Sequence, residues 1–298
     1  MTFRMIRCYP IFLLGAVFAL ACPDKLSAQS RPPEPRPLVL GRAKQRFRIG
    51  KLIARDDFKT LDNWVVQIQP KDAKPDPYVK VKDGILDCFL PGRGCTIWYK
   101  RKFKTRLTII YQVYCPIPRG LPAKLIEPRD INNFWLATDP EDPERGLFDP
   151  QRYNGDFGTY SKMFAYYAST GGGRNRTTRM RRYPRVVNGR NAPHIALKDC
   201  DGKKEYLITP EKWMTIQLVA YDDLIQYIVN GKLNYEMAYG DQVPVETRLE
   251  NKKTLIRQAV YTAEKFPFYR EGYFGFRMVC THHRYRAFRV YRLDPVSP

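Results

Sequence analysis

Long apolar runs, helical periodicity and acidic residues are all scarce in this sequence, and each scarcity excludes something. The one unbroken apolar stretch, residues 11–21, is too short to span a bilayer as an anchor. Arg4 and Arg7 precede it, Pro23 follows, and Leu26-Ser27-Ala28 supplies small residues for a peptidase, so residues 1–28 read as a removable export signal. Ala19-Leu20-Ala21-Cys22 offers a second processing mode, lipid attachment at Cys22. Asp and Glu number 30 against 51 Lys and Arg, a net charge of +21. The signal carries only Arg4, Arg7 and Lys25 against Asp24, so about +19 stays with the mature chain. A field of that size concentrates polyanions by long-range steering. For an exported protein these are uronic-acid or sulfated polysaccharides and anionic surface polymers, with nucleic acid a weaker third.

Cysteine excludes more than it offers. Cys8 and Cys22 fall in the signal, leaving Cys88, Cys95, Cys115, Cys200 and Cys280, an odd set that cannot pair completely. No pair has metal-finger spacing, which argues against a thiolate zinc site. Cys88 and Cys95 flank Pro91-Gly92-Arg93-Gly94, which reads as a hairpin turn and makes them a disulfide candidate. No cofactor is called for, although Asp130 and Asn132 are residue types that bind structural calcium.

What the sequence does contain is a succession of short runs rich in β-branched and aromatic residues, spaced about ten apart. That is the pattern of a β-sandwich. Residues 29–45, with prolines at 32, 33, 35 and 37, read as a disordered tether, because repeated proline removes amide donors. The remainder, 46–298, reads as one all-β domain. Asp222-Asp223 and Asn230-Gly231 mark tight turns in a three-stranded meander over 213–239. Leu249, Leu255, Ile256 and Val260 recur at roughly helical spacing and predict a short helical insert within 242–269.

Three segments carry more polar and cationic groups than folding requires. Residues 129–135 hold Asn132, Asn133 and Trp135, amides for sugar hydroxyls and a ring for a pyranose face. Residues 166–183 hold Tyr166, Tyr167, three glycines, Arg174 and a strand in which Thr177, Arg179, Arg181 and Tyr183 share one face. Alternate guanidinium groups form a rail for successive carboxylates or sulfates. The glycines admit a close backbone approach, but no Gly-Lys-Ser/Thr follows, which excludes a phosphate loop. Residues 274–286 hold Arg277, on a strand over 274–279, and His282-His283, in an apparent loop between that strand and the last one at 287–291, where an exposed imidazole is a candidate base.

Hydrolysis of a glycosidic bond needs two carboxyl groups with separated pKa values, and Glu141 and Glu144, in a proline-broken loop, do not supply that pair. β-Elimination from a uronate needs a cation or amide on the carboxylate, a base and an acid. Arg179 or Arg181 with Asn132 or Asn133 fills the first role, His282 or His194 the second, and Tyr166, Tyr167 or Tyr183 the third. His282, Tyr166 and Arg179 are the leading catalytic set. A binding protein without turnover would use the same groups.

Asp56-Asp57-Phe58, Leu61-Asp62-Asn63-Trp64 and Asp83-Gly84-Ile85-Leu86 resemble the opening of bacterial concanavalin A-like domains. With Asn132-Asn133-Phe134-Trp135, the 177–183 strand and Gly272-Tyr273-Phe274-Gly275-Phe276-Arg277, the chain over 52–293 resembles an uncharacterised bacterial family of exported sandwiches found beside genes for pectin and rhamnogalacturonan breakdown. The resemblance implies a jelly-roll fold and a polysaccharide context, and carries over no catalytic residue. The abundance of arginine and the 242–269 insert depart from its pattern.

Overall fold

The computed structural model describes residues 32–198 and 204–296, so residues 1–28, read above as an export signal, together with Cys22 and Cys200 lie outside the described residues. Eighteen strands follow one another with little helix. They are β1 (Phe47–Asp56), β2 (Trp64–Ile68), β3 (Tyr78–Lys82), β4 (Ile85–Tyr99), β5 (Phe103–Lys104), β6 (Leu107–Tyr114), β7 (Ile131–Thr138), β8 (Phe164–Gly171) and β9 (Thr177–Tyr183). After these come β10 (Val186–Val187), β11 (Arg190–Asn191), β12 (His194–Lys198), β13 (Trp213–Tyr221), β14 (Leu224–Val229), β15 (Lys232–Met237), β16 (Gln242–Arg248), β17 (Thr254–Val260) and β18 (Glu271–Pro295).

Hydrogen bonding runs in the order β15-β14-β13-β6-β18-β7-β8-β9-β12-β16-β17, and every pairing is antiparallel. The order folds over on itself into two layers. The Thr170 hydroxyl on β8 lies 2.6 Å from the Tyr227 hydroxyl on β14, and the Tyr235 hydroxyl on β15 donates to the Thr178 carbonyl on β9 at 2.8 Å. Between the layers sits one apolar cluster that includes Ile109, Trp135, Tyr166, Met180, Tyr227 and Phe276, all buried. Alternation places these residues there. On β14, Ile225, Tyr227 and Val229 face this core, while Leu224 and Ile228 face a second cluster with Phe47 and Leu293.

Several expectations change. Residues 280–286 form no loop between two strands: β18 is a single strand of 25 residues, irregular at Cys280, which is left-handed (φ 49). Nor is 91–94 a hairpin turn. It is a bulge inside β4, and Cys88 and Cys95 are free, buried thiols on the same strand. In both cases an irregularity within a paired strand carries the residues of a turn. The 242–269 insert is the hairpin β16–β17, not a helix, and Leu255, Ile256 and Val260 stay exposed on its outer strand. From Glu34 the expected tether is ordered. Leu38 exchanges backbone hydrogen bonds with the Gln217 side chain at 2.9 and 2.8 Å, Glu34 pairs with Arg289, and Gly41–Gln45 form a 3-10 turn that buries Ala43. Among the described residues no helix is long and apolar enough to cross a membrane.

Candidate functional site

The layer containing β7, β8 and β9 turns one face to the core and the other outward. Cross-strand register aligns a polar row on the outward face: Gln67, Thr96, Arg277, Asn132, Ser169, Arg179 and Lys198 lie opposite one another from β2 to β12. Two residues along each strand runs a second row, Trp98, Gly275, Phe134, Tyr167, Arg181 and Ala196. Its rings pack edge to edge or stacked, with Trp98 5.7 Å from Phe134, Phe134 5.2 Å from Tyr167, and the Arg181 guanidinium 5.9 Å from the Tyr167 ring. Beyond it Tyr183 and His194 lie with ring centres 6.2 Å apart.

Residues 146–163 roof one half of this face. The Tyr160 hydroxyl and the Trp98 indole N–H both donate to Gln67 Oε1, at 2.9 and 3.0 Å, and Gln67 Nε2 donates to the Leu147 carbonyl at 2.8 Å. Arg277, fully buried, donates from Nη1 to the carbonyls of Cys95 and Gly155 at 2.9 Å each and stacks beneath Phe157 and Tyr160. Arg277 therefore joins the row but serves first to hold its roof. The other half, around Thr177, Arg179, Arg181 and Lys198, is only partly covered, with the Lys198 side chain 43% exposed.

Polar atoms along this face lack partners. Asn132 Oδ1, Thr177 Oγ1, Arg179 Nε, Arg181 Nε, His194 Nε2, and Nε and Nη2 of Arg277 make no hydrogen bond. Buried polar groups are ordinarily paired, so these atoms are available to a ligand; Asn133 Nδ2, Trp135 Nε1 and Arg182 Nε, on the core side, are unbonded as well. Among the described residues neither Arg179 nor Arg181 has a carboxylate within ion-pair distance, whereas Lys198 pairs with Glu246 and Arg174 lies 3.6 Å from Glu127. Burial, with Arg185 and Arg181 nearby, pushes His194 down to about 4, so its imidazole is neutral at pH 7. Its Nε2 lies 3.5 Å from Glu246 Oε2. Burial pushes the Tyr167 hydroxyl well above its ordinary value and keeps it protonated.

The residues singled out in the sequence divide by parity. Thr177, Arg179, Arg181 and Tyr183 do share a face, joined by Asn132, Tyr167 and Arg277. Asn133, Trp135 and Tyr166 are corrected to the core. Asn133 accepts from the Tyr111 hydroxyl, Trp135 packs 5.5 Å from Tyr166, and the Tyr166 oxygen accepts from the Tyr269 amide at 3.2 Å. His282 is also displaced. It lies five residues beyond Arg277 on β18, about 16 Å at about 3.3 Å per residue, paired with Asp87 at 2.6 Å between the rings of Tyr78 and Phe89. His283 is fully buried, bonded to the Tyr285 hydroxyl and the Arg129 carbonyl at 2.8 Å each, and burial pushes it down to about 3. The converging set His282, Tyr166 and Arg179 does not form.

Sequence reasoning left out Ser169 and weighed Asp130 only as a calcium ligand or turn residue. Asp130 stands beside the row, bonded by Arg129 Nε at 2.7 Å, and burial pushes its carboxyl up in spite of that cation. Ser169 was recoverable from its phase with Tyr167. Among the described residues no three His, Cys, Asp or Glu side chains come together as a metal site.

Among solved structures, the chain is similar to a protein of unknown function with galectin-like fold from Bacillus subtilis, at 14% identity and a TM-score of 0.55, covering 83% of this chain and 98% of that one. It also matches the carbohydrate-binding module CBM66 from Bacillus subtilis, at 10% identity and a TM-score of 0.43 over 77% and 95% of the two chains. A third match is the endo-beta-1,3-glucanase from Pyrococcus furiosus, at 11% identity and a TM-score of 0.47 over 85% and 99%. The first establishes a shared galectin-like fold. No curated protein matches the sequence. A family model does match, over residues 90–247, more than half of the chain, and the protein belongs to that family, the domain of unknown function DUF6250.

Proposed function

We propose that this protein is exported and binds an acidic polysaccharide across the outward face of β7, β8, β9 and β12, cleaving it by β-elimination. The observation that carries the reading is the pair of unbonded Nε atoms of Arg179 and Arg181 on the same face as a neutral His194, whose Nε2 makes no hydrogen bond and lies 3.5 Å from Glu246 Oε2. Arg181, two residues from Tyr183 on β9, receives the carboxylate of the reacting uronate through two parallel hydrogen bonds and withdraws charge from the adjacent carbon, while Arg179, two residues further along, holds a neighbouring anionic group. His194 Nε2 takes the proton from that carbon, the bond to the leaving oxygen breaks, and Tyr183 returns a proton to that oxygen. A carbon–carbon double bond conjugated to the carboxylate remains. Export is supported by the charged, apolar and small-residue pattern of residues 1–28.

Binding without turnover is the second reading, favoured by the low exposure of His194 (5%) and Tyr183 (1%). Incubation with polygalacturonate, rhamnogalacturonan, ulvan and glycosaminoglycans, with ultraviolet detection of unsaturated uronate, separates the two. Product formation by the wild type, lost in His194→Ala with affinity retained, is the expected result. Tight binding with no product overturns elimination and leaves the binding reading, and no binding to any acidic glycan overturns both.

A further inference from the structure

The glycine triplet at the end of β8 is not uniform in what it requires. Gly171 is left-handed (φ 80), and a Cβ there would lie 2.4 Å from Ile208 Cδ1. Gly172 is not left-handed, and it bridges to Thr177 across the turn. Backbone conformation therefore does not explain its missing side chain. A Cβ on Gly172 would stand 2.8 Å from Thr177 Oγ1, 3.6 Å from Ser169 Oγ and 3.8 Å from Asp130 Oδ1. Three oxygens, from β8, from β9 and from the residue before β7, thus converge on the space that a side chain would occupy, and Thr177 Oγ1 makes no hydrogen bond.

The charges along the face change at this point. Around Gly172 they are matched: Arg129 pairs with Asp130 at 2.7 Å and Glu127 at 3.3 Å, and Arg174 lies 3.6 Å from Glu127. One step along the same face of β9, Arg179 has no carboxylate partner among the described residues and its Nε is unbonded. The step from Thr177 to Arg179 is two residues, about 7 Å, comparable with the reach from the carboxylate of a uronate to the hydroxyls on the far side of its ring.

Resting on the reading of this face given above, we infer that it holds one uronate with the carboxylate on Arg179 and unsubstituted ring hydroxyls over Gly172, which donate to Asp130 Oδ1 and exchange hydrogen bonds with the Thr177 and Ser169 hydroxyls. Hydroxyl groups satisfy all three oxygens. A sulfate ester at the same place sets an anion against Asp130 and leaves the oxygens competing as acceptors, which is discrimination by a repulsive element. The substrate class is accordingly an unsulfated polyuronate.

Calorimetric titration of the full chain with an oligogalacturonate and with its O-sulfated derivative tests this. The unsulfated ligand should bind at least about tenfold more tightly, a difference of about 1.4 kcal/mol. Gly172→Ala, which fills the space, and Thr177→Val, which removes the hydroxyl at nearly constant volume, should each cost the unsulfated ligand about tenfold while the melting temperature holds. If Gly172→Ala melts early, Thr177→Val and Asp130→Asn carry the comparison. Equal affinity for both ligands, or unchanged affinity in Thr177→Val, overturns the inference while leaving acidic-glycan binding intact. Failure of the wild type to bind either ligand overturns the wider reading as well.

Discussion

Asn132 and Asn133 are neighbours in sequence with opposite fates. Asn133 faces the core, accepting from Tyr111 beneath the second layer, whereas Asn132 faces outward in the polar row with Oδ1 unbonded. The same division runs through β8, where Tyr166 is core and Tyr167 outward, and through β9, where Met180 is core and Arg179 and Arg181 are outward. In a strand, chemistry belongs to parity rather than to segment, since a step of one residue carries a side chain through the sheet.

That contrast can be broken most forcefully in the core. Trp135→Ala should cost about 3 to 5 kcal/mol, from lost burial and the cavity left behind. Asn132→Ala, three residues away, should stay within about 1 kcal/mol and instead weaken glycan affinity. Urea denaturation of both variants checks this, and equal destabilisation would erase the distinction between the faces.

A smaller effect comes from the buried imidazoles, one on each face. His194 and His283 are neutral in the fold, pushed down to about 4 and about 3, against an unfolded value of about 6.5. Below about pH 6.5 the unfolded chain binds more protons than the folded one, so stability falls as pH drops. Each histidine adds a slope of up to about 1.4 kcal/mol per pH unit, which for His194 ends near pH 4 and for His283 near pH 3. Denaturation midpoints from pH 7 to pH 4 should decline accordingly, and His283→Gln should flatten the decline. An unchanged slope in that variant would show the acid sensitivity to lie elsewhere.

The smallest effect on the glycan chemistry is assigned to His282. His282→Ala should cost about 1 to 3 kcal/mol of stability, because the buried Asp87 carboxylate loses a partner, and leave glycan affinity and product formation unaltered. Abolished turnover in that variant would return the base to His282 and remove His194 from the reaction.

The all-β architecture was legible because alternation and turn chemistry are local. The strand at 177–183 and the three-stranded meander within 213–239 coincide with those read from sequence. The facing of Thr177, Arg179, Arg181 and Tyr183 followed from a period of two. The failures have a common cause in long-range pairing. Pro91-Gly92-Arg93-Gly94 and Cys280-Thr281 carry the composition of turns, but continuous partners on both strands hold them in register as bulges, which no local signal announces. The spacing of Leu249, Leu255, Ile256 and Val260 matched a helix by coincidence, since β17 is an outer strand with no partner among the described residues on its far side. Tyr166 was misplaced because a tyrosine suits a core and a site equally, and only its phase relative to Tyr167 distinguishes them.

The strand Glu271–Pro295 has a further consequence. It is hydrogen-bonded to β1, β4, β5, β6 and β7, elements that begin between about 140 and about 224 residues earlier in the chain. During synthesis those five must wait with unpaired edges until this segment emerges. Closure is therefore a late, non-local event of the kind that makes β-proteins slow to fold. A nascent chain halted before residue 271 would expose these edges to other chains, and aggregation rather than a smaller stable fragment is what such a truncation should produce.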